Sequence, residues 1–192
     1  MTFTARRMHY TYEQYLGLEE VSTVRHEYLD GEIYAMAGGS PDHAALAANV
    51  IRVLGGQLPA GCRIFTSDLR IRIPETGLST YPDVAVVCGP TARAADDRLS
   101  ITNPVLLAEV TSASTEEYDR GEKLRHYMHL PSLEDVLILS HHEPRATVHQ
   151  REASGWAIHE CGPGDPLALR SLSVTTSVEE LYAAGLEDIP SR

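Results

Sequence analysis

On two apolar runs, Tyr81-Pro82-Asp83-Val84-Ala85-Val86-Val87-Cys88 and Val105-Leu106-Leu107-Ala108-Glu109-Val110-Thr111-Ser112, rests the assignment of this chain's architecture. Both are short and almost continuous, as expected of strands covered on both faces of a sheet. Each carries one carboxylate out of place: Asp83 opens the first run and Glu109 interrupts the second. An isolated ionised carboxylate is costly to bury, so a cation, a side-chain partner or an exposed strand end must compensate. Two such groups on neighbouring strands, pointing the same way, form the oxygen-rich half of a magnesium or manganese site. The plainer alternative is that each faces water at a strand end or pairs with an arginine.

Working outward, Arg63 to Ile73 alternates apolar and charged residues and predicts a third strand, with a bulge near Ser67-Asp68 where the phase slips. Ahead of it, Ser40 and Pro41 supply the cap and first residue of a helix running to about Leu58, with Leu46, Val50, Val53 and Leu54 as its apolar stripe. Pro90 to Ser100 is a charged connection. After Glu109, Ser114-Thr115-Glu116-Glu117 resembles a capping box opening a second helix, whose apolar face is Leu124, Tyr127, Met128 and Leu130 and whose end is Pro131. Val136 to Leu139 is one more buried strand. The order helix, three strands, helix, strand predicts an α/β fold with a mixed sheet flanked by helices.

Additions lie at both ends. Thr11 caps a short helix over Tyr12 to Glu20, and Asp30-Gly31 joins the strands His26 to Leu29 and Glu32 to Met36 into a hairpin. A second hairpin, Ala146 to Gln150 with Trp156 to Glu160, turns at Ser154-Gly155. A strand over Leu172 to Val174 and a short helix over Val178 to Tyr182 follow. With no repeat or linker, residues 1–192 read as a single domain.

No apolar run approaches the length of a membrane span, and Met1 to Tyr10 is polar and basic, without the apolar centre of a signal peptide. A cytoplasmic protein with no membrane partner is expected. Cys62, Cys88 and Cys161 are odd in number and lack a C-x-x-C pair, so isolated thiols are expected in place of a disulfide framework or zinc site. The net charge of -11 argues against holding nucleic acid by charge alone. It is compatible with a carboxylate cluster that a divalent cation neutralises. Lys123 is either half of a surface i,i+4 pair with Asp119 or, reaching inward from its helix, a neighbour of both Asp83 and Glu109. His141, His142, His149 and His159 are dispersed around strands and expected to be structural or exposed.

Tyr81-Pro82-Asp83, Ala108-Glu109-Val110-Thr111-Ser112 and Asp119-Arg120-Gly121-Glu122-Lys123 with Tyr127 resemble the Uma-two family, bacterial restriction-endonuclease-like domains long catalogued as of unknown function. Glu27-Tyr28-Leu29-Asp30-Gly31-Glu32, Met36, Ser40-Pro41-Asp42-His43 and Thr66-Ser67-Asp68-Leu69 match the same family. The resemblance spans roughly Tyr12 to Tyr182; each motif is weak alone and specific in order and spacing. It places the chain in the PD-(D/E)xK superfamily of nucleases, whose core has the element order read above. It implies Asp83 as the motif aspartate and Glu109 as the motif acid. The motif lysine belongs two residues after the acid, where this chain has Thr111; some members supply it from the next helix, which makes Lys123 the candidate.

The implied activity is metal-dependent hydrolysis of DNA phosphodiesters. Asp83, Glu109 and the Val110 carbonyl would hold Mg2+ or Mn2+, with Lys123 positioning water or neutralising phosphate charge. Glu32 is the candidate third carboxylate or else a polar residue flanking a turn, with Asp68 and His43 as weaker additions. Arg63, Arg70, Arg72 and Arg93 either form a basic patch for DNA or face solvent. The competing readings are a catalytically inactive module for binding or assembly and a nuclease that takes its DNA-binding surface from a partner protein. A homodimer is also open.

Overall fold

The computed structural model describes residues 9–36, 38–183 and 186, so the reading of Met1 to Tyr10 falls, up to Met8, outside them. In chain order come α1 (Tyr12–Val21), β1 (His26–Leu29), β2 (Glu32–Ala35), α2 (Pro41–Gly55), β3 (Cys62–Thr66), β4 (Arg70–Ile73) and β5 (Leu78–Thr80). Next are β6 (Val84–Cys88), β7 (Ser100–Ile101), β8 (Leu106–Val110), a broken helix made of α3 (Glu116–Tyr118) and α4 (Leu124–Tyr127), and β9 (Asp135–Leu139). β10 (Ala146–Glu152), β11 (Gly155–Cys161), β12 (Pro166–Leu169), β13 (Val174–Ser177) and α5 (Val178–Leu181) complete the described chain.

The central sheet has six strands in the order β11-β10-β9-β8-β6-β3. Only β8 and β9 are parallel within it, joined by a crossover through α3 and α4. Helix, three strands, helix, strand is thus present as α2, β3, β6, β8, α3–α4 and β9, in a mixed sheet with helices against it. Alternation sorts its two faces. Val84 and Val86 of β6, with Leu106, Ala108 and Val110 of β8, pack under α2 through Leu46, Val50 and Leu54. Ala85, Val87 and Leu107 face the other way, onto Leu124, Tyr127 and Leu130 and onto Ile71, Ile73 and Leu78. Those last three belong to a second sheet, ordered β2-β1-β5-β4-β7.

Local chemistry explains the first elements. The Thr11 side chain accepts from the Gln14 N–H at 3.2 Å while the Gln14 side chain accepts from the Thr11 N–H at 2.8 Å, a complete capping box. Asp30 and Gly31 both have positive φ, 48° and 84°, which a two-residue turn between right-twisted strands requires. Ser40 caps α2 from the His43 N–H at 3.2 Å, with Pro41 in its first turn.

Five expectations are corrected. Arg63 to Ile73 is not one bulged strand: a turn at Ser67-Asp68 sends β3 into the central sheet and β4 into the second. Its alternation misled because Arg70 and Arg72 are buried, at 6% and 7% exposure, against Asp97 and Asp96 on the connection over Pro90 to Ser100. Those arginines therefore neither face solvent nor form a basic patch. The second helix has no capping box: Thr115 makes no side-chain cap, Ser114 Oγ bonds Ser112 Oγ, and a π-turn over Asp119–Lys123 divides the helix. Cys62 and Cys88 are not isolated thiols but a disulfide. They face each other in the antiparallel register of β3 and β6, which counting cysteines does not reveal. Finally, Leu172 belongs to a 3-10 turn; the strand after it is β13, which pairs with β12, a strand the sequence reading lacked.

Candidate active site

Asp83 and Glu109 meet because of register. Val84 pairs with Ala108 across β6 and β8, so the next antiparallel step sets Asp83 opposite Glu109. Both follow the parity of Ala85, Val87 and Leu107 and so share the face turned to α4 and the second sheet. Where the ladder ends, the Asp83 carboxylate takes over from the backbone: its Oδ2 accepts the Val110 N–H at 2.8 Å. The His43 Nε2, from the first turn of α2, lies 3.3 Å from the same oxygen. Among the described residues, neither Asp83 nor Glu109 is paired with an arginine.

Glu109 is 4% exposed. Its Oε1 accepts from the Tyr127 hydroxyl and lies 2.9 Å from the Lys123 ammonium. The ammonium is 3.3 Å from Glu27 Oε1 and 3.6 Å from Asp119 Oδ1. Glu27 is further held by the hydroxyls of Thr80 and Tyr118. The π-turn belongs to this arrangement, since it brings Asp119 and Lys123 to the interior together, both buried.

The charges do not balance. Around one buried ammonium stand Glu27, Glu109 and Asp119, with Asp83 beside them. Burial pushes Glu109 up to about 8; Asp83 and Asp119 add to the rise and Lys123 opposes it. Burial also raises Asp119 against the pull of Lys123. Burial alone would lower Lys123, but Glu109, Tyr127, Glu27 and Asp119 outweigh it, and the lysine stays charged well above its ordinary range. His43 is raised chiefly by its bond to Asp83, against burial, with the Val110 backbone contributing. Burial and the neighbouring acids thus favour the protonated form of Glu109, and Lys123 favours the ionised one.

Glu27, His43, Asp83, Glu109, Val110, Asp119 and Lys123 line a cleft of about 940 Å³ that also includes Tyr34, Ser112, Tyr118, His141 and His142. Of the residues singled out from sequence, Asp83, Glu109, Lys123, Val110 and His43 come together here. Glu32 does not: it occupies the face of the hairpin that carries Glu27, two pairs nearer the turn, where the Tyr34 hydroxyl donates to its carboxylate. Glu27 is the early carboxylate that reaches the lysine. Asp68 is 78% exposed and paired with Arg25 at 2.5 Å. Glu27 and Asp119 escaped the sequence reading, although an acid four residues before Lys123 was in view as a surface partner. His142 is exposed and His141 is tied to Thr111, in line with the expectation that they are structural or exposed, and both also line the cleft.

With this geometry in view, similarity to known proteins becomes informative. A family named Uma2 and described as "Putative restriction endonuclease" matches residues 12–179. A Synechocystis sp. (strain ATCC 27184 / PCC 6803 / Kazusa) protein called "Uncharacterized protein slr1290" is 40% identical over 172 residues, 88% of this chain and 90% of its own length. A second protein of that organism, "Uncharacterized protein sll1609", is 36% identical over 132 residues, 67% of this chain and 73% of its own. Among solved structures, a "putative nuclease belonging to DUF820" from Anabaena variabilis ATCC 29413 superposes with a TM-score of 0.69. That match has 16% identity and covers 84% of this chain and 92% of the other, so it shows a shared fold alone.

Proposed function

The chain belongs to the Uma2 family, described as "Putative restriction endonuclease", and on that footing we propose that it is a Mg2+- or Mn2+-dependent endonuclease hydrolysing phosphodiester bonds in DNA. The observation that carries the proposal is the facing pair Asp83 and Glu109 in a cleft where carboxylates outnumber cations. Hard carboxylate oxygens without thiolate suit Mg2+ or Mn2+, and an excess of buried negative charge is what a dication relieves. Asp83 and Glu109 would hold the ion, with the Val110 carbonyl beside them. Bound there, the ion supplies a polarised phosphate and a water of lowered pKa.

The remaining residues have distinct tasks. Lys123, at 2.9 Å from Glu109, donates to an attacking water or to a phosphate oxygen at the cleft. Tyr127 and Glu27 fix where that ammonium stands, through their bonds to Glu109 and to the lysine. His43 offers a further donor beside Asp83.

One observation favours a second reading, a nuclease whose grip on DNA comes from another chain. Arg70 and Arg72 are consumed by Asp97 and Asp96, and the chain's net charge is -11. Phosphate binding ordinarily draws on exposed basic residues. The catalytic residues are the same in both readings. No helix among the described residues is long and apolar enough to cross a membrane.

The test is nicking of supercoiled plasmid by the purified chain with Mg2+, Mn2+ or chelator. Metal-dependent nicking by wild type that disappears in Asp83→Asn and Glu109→Gln supports the reading, and its loss in Lys123→Ala assigns the lysine. Nicking that persists in both acid variants, or in chelator, overturns it. Nicking that appears only with a cellular partner chain present selects the second reading.

A further inference from the structure

We propose that Glu116, His141 and His142 form a second metal site at the rim of the cleft, one that takes a zinc-class transition ion and is separate from the Asp83–Glu109 centre. Glu116 is the first residue of α3, and the two histidines follow the end of β9. One ligand atom from each residue lies within 4.8 Å of the others. With Zn–N and Zn–O bonds of roughly 2.0–2.1 Å, tetrahedral ligands stand about 3.4 Å apart. The group therefore needs a modest closing motion, and the His142 side chain, 61% exposed, is free to make it.

Three features indicate a ligand. The His141 Nδ1 is engaged by Thr111 Oγ1 at 2.9 Å, while its Nε2 is buried and has no hydrogen-bond partner among the described residues. A buried ring nitrogen left unpaired calls for an explanation. An imidazole anchored through one nitrogen with the other free is how metal-binding histidines are held. His142 Nε2 already lies 3.7 Å from Glu116 Oε2, and the other oxygen of Glu116 accepts from Arg120 Nε at 3.0 Å, which orients the carboxylate. Two imidazoles, which are borderline ligands, with one hard carboxylate make a set suited to Zn2+, Co2+ or Ni2+ and poor for Mg2+.

Three protein ligands leave a coordination position open, and both histidines line the cleft. The ion would present that position to an anionic ligand in the cleft. Thr111 stands where the nuclease motif expects its lysine; here it tethers His141 instead. The departure from the motif and the second site are in this way linked by one side chain. The inference does not depend on nuclease activity.

The test is calorimetric titration of tag-free, metal-free full-length protein with Zn2+ in excess Mg2+, paired with the visible spectrum of the Co2+-loaded protein. Wild type and Asp83→Asn should each take one equivalent and show the same Co2+ bands. His142→Ala, a change at an exposed residue, and Glu116→Gln should weaken binding by about tenfold or more and lose those bands. Absence of saturable binding to wild type at micromolar Zn2+ overturns the proposal, as does undiminished affinity in His142→Ala. Loss in Asp83→Asn with retention in His142→Ala also overturns it, by placing the ion at the other centre.

Discussion

Two buried charge networks, one around Arg70 and one around Lys123, differ in how fully their acids are neutralised. In the first, Arg70 is 2.6 Å from Asp97 and 3.7 Å from Glu19, and it donates to the Tyr81 hydroxyl at 2.9 Å. Burial acts to raise Asp97, but its bonds to Arg70 and the Leu99 N–H outweigh that and lower it. Arg70 is raised, its bond to Asp97 together with the charges of Tyr81, Tyr15 and Asp97 outweighing burial. In the second, one lysine serves Glu27, Glu109 and Asp119, and Glu109 is pushed up to about 8. A network that gives its acid a dedicated guanidinium, as Arg70 gives Asp97 at 2.6 Å, fastens two elements together. A mismatched one holds charge that its own fold does not neutralise, and buried groups of shifted pKa in a cleft mark a functional site.

The largest effect expected from this contrast is on activity. Asp83→Asn and Glu109→Gln should each lower Mn2+-dependent plasmid nicking by about a thousandfold, on the order of removing a principal electrostatic group from a catalytic site. Arg70→Ala, measured alongside, should leave nicking per folded molecule close to wild type. Equal losses in all three variants would erase the distinction between the networks.

Stability should show the reverse. Arg70→Ala strands Asp97 without its cation, which costs about 3–5 kcal/mol for a buried pair, read by urea denaturation. Glu109→Gln in chelator removes an acid from a crowd of acids and should unfold at or above the wild-type midpoint at pH 8. If Arg70→Ala is as stable as wild type, the first network is not structural.

The networks should also respond to pH in opposite senses. Glu109 keeps its proton in the fold to about 8, while the unfolded carboxyl loses it near 4.5. Its stabilisation is therefore fully present below about 4.5 and lost as pH rises through about 8. Asp97, lowered in the fold, contributes stability that is present above its ordinary pKa of 3.8 and lost on acidification through its depressed value. Melting of metal-free protein from pH 5 to 9 should thus fall with pH more steeply in wild type than in Glu109→Gln. Parallel curves would contradict the raised Glu109. The smallest effect is the gain from metal: millimolar Mn2+ at pH 8 should raise wild-type melting by a few degrees, roughly 2–4 °C per kcal/mol of linkage, with no gain in Asp83→Asn.

The two networks were unequally legible in the sequence, for physical reasons. Asp83 and Glu109 stand out because an acid inside an apolar run is anomalous wherever the run is placed. Glu27 lies in a strand of four residues, too short for alternation to show which face it takes. Asp119 and Lys123 have the spacing of a surface pair, and that spacing is the same in a buried one. Arg70 and Arg72 read as outward residues because their partners, Asp96 and Asp97, lie on a connection whose path no periodicity reveals. The core order of helices and strands was readable from hydrophobic runs. The division of Arg63 to Ile73 between two sheets was not, because a turn and a bulge interrupt alternation alike.

The most direct measurement is a crystal structure of the wild-type protein soaked in Mn2+ at pH 8, with the ion located by its anomalous scattering. A peak coordinated by both Asp83 and Glu109, with Lys123 still paired to Glu27 or Asp119, is the expected result. Crystals in which Lys123 and the Tyr127 hydroxyl keep Glu109 while the cleft takes no Mn2+ between the two acids would contradict the account.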